Sequence, residues 1–304
     1  MTRFRIRLFG RLNLQQEDGT SYEIESHKAT ELFCYLLIHR NRPHSREALA
    51  EIIWGESSTA RSKKYLRQAL WQIQSALTNT QHETLQPLIL TDGEWIQINP
   101  QTECWLDVAE FEDTYTCVRD HHGGDLDEAG YRKLKQALNL YQGDLLEGWY
   151  EDWCLFERER LQNIYLSILD KLMMYCETHQ SYEEALEFGE NILRYDVARE
   201  RTHRRMVRIY YKAGERTSAL RQYERCVTSL QDELGVKPAK KTVELYELIC
   251  QDNAYPVEQT PLFLVPPDTT PDILHRLRQL EKMVGDFHVK VTEEIRSLEQ
   301  SLKQ

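Results

Sequence analysis

The chain has 304 residues, a formal net charge of -11 and 41% hydrophobic residues, which suffices for two ordinary domains with a large buried core. It contains no run of about 18 apolar residues, which argues against a membrane-spanning helix. The first residues, MTRFRIRLFG, lack the apolar run of a signal peptide, and the seven cysteines include no CxxC pair. The sequence therefore predicts a cytoplasmic protein with reduced thiols and no membrane partner.

The net charge is unevenly distributed along the chain. Residues 1–100 contain 12 Lys and Arg against 11 Asp and Glu, whereas the remaining 204 residues contain 26 against 38. The acidic excess therefore lies outside the first hundred residues. Because a DNA-binding domain needs only a local basic face, the total charge does not exclude nucleic acid as a partner.

Short strands and two helices are predicted at the start of the chain. FRIRLF alternates as a strand does, and a turn at residues 17–19 leads to a short strand containing Tyr22 and Ile24. HKATELFCYLLIHR then has the apolar face of a helix, which ends at Asn41-Arg42-Pro43. Ser45 is the predicted N-cap of a second short helix, REALAEIIW.

The third predicted helix, LRQALWQIQSAL with ARSKKY before it, has one apolar and one polar face. Leu66, Leu70, Ile73 and Leu77 recur at spacings of four, three and four, so one face should pack into a core. No acidic residue occurs between Arg61 and Leu77. The polar face carries residue types that bind phosphates and base edges: Arg61, Lys64, Arg67, Gln68, Trp71, Gln72 and Ser75. Taken alone, such a face is more often the solvated side of a structural helix.

A predicted hairpin follows this helix in the sequence and helps to identify the motif. LILTDGEWIQINP reads as two strands joined by a turn at Thr91-Asp92-Gly93. A sheet, three helices and a hairpin in this order are the layout of a winged helix. In that layout the second and third helices form the helix-turn-helix, and the third helix enters the major groove.

From Cys104 onward the sequence predicts helices almost without interruption. Two of them repeat with a period of 34 residues when Ala185 is set on Ala219, which is the period of tetratricopeptide repeats. Stacked helix pairs of that kind leave a concave face for a peptide or a small ligand. An ordinary helical domain is the alternative. The predicted helices are 131–141, 153–179, 182–194, 200–213, 217–233 and 241–250.

The last fifty residues have a different composition. Five of the nine prolines lie between residues 252 and 271, which predicts an extended linker. Beyond it, apolar residues recur at spacings of three and four with one stutter, as in a coiled coil through which the chain would form a homodimer. A helix packed back on its own chain is the alternative. The predicted dimerisation residues are Leu277, Leu280, Val284, Phe287, Val291, Ile295 and Leu298.

Motifs for catalysis were not found. The sequence has no Gly-rich phosphate loop, HExxH motif or nucleophile elbow. His121 and His122 lie beside Asp120 and Asp125, but a solvated loop is the favoured interpretation because no second ligand cluster has metal-type spacing. We therefore predict no enzyme, no cofactor and no metal.

Several segments resemble a known family. ATELFCYLLIHRNRPHSREALAEIIW, ARSKKYLRQALWQIQSAL and LILTDGEWIQINP resemble the winged helix of response regulators, and WLDVAEFE resembles the junction in SARP-type bacterial transcriptional activators. YQGDLLEGWYEDWCLFERERLQ, SYEEALEFGENILRYD and ERTHRRMVRIYYKAGERTSALRQYERCV resemble the bacterial transcriptional activator domain. Together the resemblance covers residues 3–250.

The resemblance over residues 3–250, together with the composition and spacing of the last fifty residues, predicts a mainly α fold in four parts. These are an N-terminal α+β winged helix (1–102), an all-α tetratricopeptide-like activator domain (103–251), the linker (252–271) and a C-terminal helix (272–304). It implies a transcriptional activator that binds direct repeats in promoter DNA and contacts RNA polymerase. The helical domain would then serve dimerisation or signal sensing. The alternative is a helical-repeat adaptor or ligand sensor whose winged helix contacts proteins.

The family's DNA-contacting positions can be carried over onto this chain. The recognition face falls on Arg61, Lys63, Lys64, Arg67, Gln68, Trp71 and Gln72; the wing falls on Thr91, Asp92 and Gly93; and the start of the second helix falls on Ser45 and Arg46. Family members commonly carry arginine at the positions of Gln72 and Gln74 and a small residue at Trp71. The salt dependence of binding should therefore be flatter by about one to two units of slope. Glutamine pairs with adenine, and Trp71 either contacts a thymine methyl or packs against the wing.

Overall fold

The computed structural model describes residues 4–16, 19–55, 58–78 and 87–251, which belong to one compact unit spanning residues 1–253. The predicted linker and C-terminal helix, with all seven dimerisation residues, lie outside the described residues. The strands are β1 Phe4–Arg7, β2 Asn13–Gln16, β3 His44–Ser45, β4 Ile89–Asp92, β5 Trp95–Ile98 and β6 Cys104–Leu106. The helices are α1 His27–Ile38, α2 Arg46–Trp54, α3 Thr59–Thr78, α4 Asp107–Val118, α5 Glu128–Leu138, α6 Asp152–Thr178, α7 Tyr182–Tyr195, α8 Glu200–Lys212, α9 Arg216–Leu234 and α10 Lys240–Cys250.

The N-terminal sheet has the strand order β2-β1-β6. β1 pairs antiparallel with β2 and parallel with β6, and Phe4 and Ile6 point from β1 into the core. The predicted strand at Tyr22 and Ile24 is wrong. Residue 21 makes one isolated bridge to β2, after which the chain leads into the N-cap of α1 at Ser26, too soon for a strand.

The three helices of the winged helix form as predicted. Ser45 caps α2, because its Oγ accepts a hydrogen bond from the Ala48 amide at 3.1 Å. α3 buries the apolar side chains that its spacing indicated, and all four are less than 7% exposed: Leu66, Leu70, Ile73 and Leu77. The predicted inner face of α3 is therefore confirmed.

The hairpin forms, but its turn lies further along than predicted. Asp92 pairs with Trp95 at the end of the β4–β5 ladder, so the two turn residues are Gly93 and Glu94. Gly93 has φ +56, the left-handed conformation that a two-residue hairpin requires and that glycine adopts without strain. β3 pairs with β5 on its other edge and ties the start of α2 to the wing.

The helical region is built from packed helix pairs, α6 with α7 and α8 with α9. Ala185 and Ala219, the residues aligned by the 34-residue period, are both fully buried. Gly189 allows α7 to approach α8, since a Cβ there would lie 2.8 Å from the Met206 sulfur. The mainly α fold with an N-terminal winged helix is confirmed. No helix in the described ranges is long and apolar enough to cross a membrane.

Asp107 joins the N-terminal sheet to the helical region. It is the first residue of α4 and is 2% exposed. Its carboxylate accepts hydrogen bonds from the amides of Leu8, at 2.9 Å, Phe9, at 3.0 Å, and Val108, at 2.7 Å. These hydrogen bonds tie the backbone after β1 to the start of α4, about 100 residues further along the chain. The N-terminal sheet is therefore completed by β6 and anchored by α4.

Candidate nucleic-acid interface

The outer face of α3 is exposed where the sequence placed a recognition surface. Six of the seven predicted residues of α3 are exposed and Gln72 is half-buried. The six are Arg61, Lys63, Lys64, Arg67, Gln68 and Trp71. The buried face described above holds them in position, since a helix fixed by its apolar stripe presents the opposite side chains in a defined direction.

The cations of this face differ in their availability. Lys63 lies 3.5 Å from Glu47 of α2. Because both side chains are exposed, this ion pair contributes little to the stability of the fold. Arg61, Lys64 and Arg67 make no ion pair within the part of the chain that the structure describes. Three cations are therefore free to meet phosphates or base edges.

Arg46, one of the predicted DNA contacts, forms a hydrogen bond to the hairpin. It is half-buried, and its Nε donates a hydrogen bond to the carbonyl of Gly93 at 2.8 Å. The side chain therefore fixes the hairpin turn to the start of α2. Ser45 is likewise occupied as the cap of α2, with its hydroxyl hydrogen left as a donor. Both side chains therefore have a structural role, because they hold the start of α2 and the hairpin in place beside α3.

The tip of the hairpin is acidic. Thr91 is exposed as a wing residue should be, but Asp92 and Glu94 beside it are exposed too. Carboxylates repel a phosphate backbone, so the wing contributes no attraction of its own to DNA. Contacts from this segment must come from Thr91 or from an uncharged neighbour.

Two tryptophan side chains of the winged helix are exposed to solvent. Trp71 is 66% exposed, which excludes the alternative that it packs against the wing. Trp95, at the start of β5, is 53% exposed and was not among the predicted residues. Strand alternation would have indicated it, because the next residue, Ile96, is fully buried and successive side chains point to opposite faces.

Comparison with known proteins identifies the family. Residues 106–250 match the model of the bacterial transcriptional activator domain. The chain is 24% identical over 235 residues to the regulatory protein AfsR of Streptomyces coelicolor, covering 77% of this chain. It is 25% identical over 253 residues to the transcriptional regulatory protein MoaR1 of Mycobacterium tuberculosis, covering 78% of this chain. The chain thus contains a bacterial transcriptional activator domain and is similar to regulators of the SARP type.

A solved structure shows the same fold as this chain. Mycobacterium tuberculosis EmbR, in complex with a low-affinity phosphopeptide, superposes with a TM-score of 0.63 at 20% identity, covering 84% of this chain and 66% of that chain. At this identity the likeness shows the fold alone. The chain spans 23% of the length of AfsR and 76% of that of MoaR1.

The activator domain of this chain has a cleft of about 620 Å³ between α7 and α9. Arg225 forms a fork on Glu190, with distances of 2.7 and 3.1 Å, and this hydrogen bonding holds the pKa of the Glu190 carboxyl below its ordinary value. Arg194 and Arg221 line the same cleft and are exposed.

Proposed function

We propose that this chain is a sequence-specific DNA-binding transcriptional activator of the SARP type without enzymatic activity. One observation carries the proposal: an exposed helix face without acidic residues, on which Arg61, Lys64 and Arg67 make no ion pair with described residues. Such a face supplies the local positive charge that phosphate attraction needs, even in a chain whose net charge is -11. Because promoter DNA lies in the bacterial cytoplasm, the proposed function places the protein there.

The residues of α3 divide into two groups under this proposal. Arg61 and Lys64 lie towards the start of the helix and bind phosphates, which fix the register of α3 in the major groove. Gln68 and Gln72 lie one helical turn apart and hydrogen-bond adenine edges, while exposed Trp71 contacts a thymine methyl. The proposed site is therefore rich in A·T pairs.

The remaining partners are proposed from the family and, for the dimer, from the apolar spacing of the C-terminal segment. We propose that two copies bind direct repeats and contact RNA polymerase, with the helix predicted in residues 272–304 providing the dimer contact. Light scattering tests that contact, since deletion of residues 272–304 should convert dimer to monomer. An unchanged mass would contradict it. The cleft between α7 and α9 is the proposed place for a signalling ligand or peptide.

The test is a mobility shift with the full chain on fragments selected from random or genomic DNA. We expect Lys64→Ala/Arg67→Ala to weaken binding about 30- to 1,000-fold, since a phosphate contact and a base contact are lost together. The slope of log affinity against log salt should fall by about one, because one phosphate contact is lost. The control is Arg132→Ala/Lys133→Ala, which removes the same charge from the exposed surface of α5 and should bind as the wild type does.

A second function is favoured by one specific observation. The acidic wing residues Asp92 and Glu94, with glutamine at 72 and 74, suit a helical-repeat adaptor whose winged helix contacts a basic protein. The mobility shift separates the two functions. Retention of no DNA by the wild type favours the adaptor, whereas equal retention by both double mutants contradicts the assigned face.

A further inference from the structure

Three potential metal ligands converge between the winged helix and the activator domain. His27 and Glu31 lie one turn apart on α1, and Glu151 immediately precedes α6. Each offers one ligand atom, and these atoms all lie within 4.8 Å of one another. The group lies outside the DNA-binding face and depends on none of its residues.

Glu31 is the central member of this group. It is 1% exposed, although it carries a carboxylate. Trp153 Nε1 donates to its Oε1 at 3.3 Å, and Lys28 Nζ lies 2.7 Å from its Oε2 without making a hydrogen bond of acceptable geometry. The buried carboxylate is thus balanced by the Lys28 ammonium, a cation whose place a metal ion would take.

Glu151 adds a second such oxygen. Its Oε2 is buried and has no hydrogen-bond partner among the described residues. Glu151 precedes α6 as its N-cap residue, but its side chain makes no capping hydrogen bond there. The Lys28 ammonium pairs with Glu31, so the two carboxylates together leave this group of described residues with an excess negative charge.

The donor set has the chemistry of a zinc-type site. One imidazole nitrogen and two carboxylate oxygens suit a divalent transition metal, and three protein ligands leave a fourth position for water. The surroundings orient the ligands: Trp153 holds Glu31, and the His27 ring stacks on Trp149 at 4.9 Å. Ligands of a tetrahedral ion lie roughly 3.4 Å apart, so the three atoms, now within 4.8 Å of one another, approach by at most about 1.4 Å when the ion binds.

We propose that His27, Glu31 and Glu151 bind a divalent transition-metal ion of the zinc class, which links α1 of the winged helix to the start of α6. A cleft of about 640 Å³, lined by Lys28, Glu31 and Glu151 among others, gives the ion access from solvent. The Lys28 side chain, already 48% exposed, turns outward when the ion binds. Since the ion binds only the folded junction, it raises the stability of that junction.

The experiment measures Zn²⁺ and Co²⁺ binding to the full chain by competition with a chromophoric chelator. We expect His27→Ala and Glu151→Gln each to weaken Zn²⁺ binding by at least about 10-fold, and Trp153→Phe by about 10-fold, because it loses the bond that orients Glu31. The Tm should rise with Zn²⁺ in the wild type and stay constant in His27→Ala. Bound Co²⁺ should show no thiolate charge-transfer absorption.

The controls distinguish binding at this site from nonspecific binding of Zn²⁺ to other histidines of the chain. His121→Ala/His122→Ala removes the exposed histidines of another loop and should leave Zn²⁺ binding unchanged. His27 is exposed, so its variant tests the ligand without disturbing the core. Wild-type affinity in both His27→Ala and Glu151→Gln, thiolate absorption with Co²⁺, or no saturable binding by the wild type would each overturn the proposal.

Discussion

The basic residues of α3 and those of the activator domain are used in opposite ways. In the activator domain Arg205 pairs with Asp170 at 2.7 Å, and Arg208 binds both oxygens of Glu177 at 2.7 and 2.8 Å. On α3, within the described ranges, Arg61, Lys64 and Arg67 have no such acidic partner. The availability of the cations, which a count of charges does not reveal, distinguishes a candidate interface from a structural network.

Glu177 shows how strongly the activator domain uses its charges. Burial opposes ionisation of its carboxyl, but hydrogen bonds from Arg208 and Lys212 outweigh burial and hold the pKa below its ordinary value of 4.5. The side chain is only 9% exposed. The ion pairs around it therefore stabilise the packing of α6 against α8, in contrast to the exposed Lys63–Glu47 pair.

The largest expected effect comes from the buried side of α3. Ile73→Ala should lower the free energy of unfolding by about 2–5 kcal/mol, because Ile73 is fully buried and its removal leaves a cavity. Denaturant unfolding followed by circular dichroism measures this loss. Ser75→Ala, on the exposed side of the same helix, should change stability by less than about 0.5 kcal/mol. Equal values for both variants would contradict the assignment of the two faces.

A smaller effect is expected in the activator domain. Glu177→Gln should cost about 1–3 kcal/mol, because buried Arg205 and the cations of Arg208 and Lys212 lose an ionised partner. Since folding lowers the pKa of Glu177, its contribution is complete above pH 4.5 and is lost as the pH falls through the folded-state pKa.

Urea unfolding of Glu177→Gln at pH 7 and at pH 3 measures that dependence. The difference in stability between wild type and variant should be large at pH 7 and should shrink in acid. Glu187→Gln, at an exposed position of α7, is the matched control and should follow the wild type at both pH values. A difference that is independent of pH would show that the charge of Glu177 is not what stabilises the packing.

The smallest expected effect concerns Lys63, the cation of α3 that pairs with Glu47. Glu47→Gln releases Lys63 and removes a negative charge near the proposed groove, so DNA binding should become about two- to fivefold tighter, as the loss of an exposed ion pair allows. Titration by fluorescence anisotropy at low salt measures the gain, with Glu110→Gln on α4 as the control. No gain would mean that Lys63 lies away from the DNA.

Local features of the fold were predictable from the sequence, whereas long-range pairings were not. The spacing of Leu66 and Ile73 and the identity of Ser45 act within one or two helical turns, so they indicated the faces and cap of these helices. The hydrogen bond from the Leu8 amide to Asp107 joins residues 99 positions apart. No local pattern encodes such a contact.

The candidate sites follow the same division. Exposure of Arg67 and Trp71 could be predicted from one helix, whereas the bond from Arg46 to the wing depends on how the hairpin folds back on α2. The i, i+4 spacing of His27 and Glu31 is visible in the sequence, but Glu151 is 120 positions further along. Its approach depends on the packing of the winged helix against the activator domain.

The pairing of β6 with β1 limits how the winged helix can be exchanged between regulators. A graft of residues 1–102 onto another activator domain would pair β1 with the recipient's strand in place of β6, and would replace Asp107, which binds the amides of Leu8 and Phe9, by the recipient's residue. A chimera joined after Asp107 would retain both. Recombination in this family should therefore favour junctions on the C-terminal side of β6, where the exchanged segment carries its own third strand.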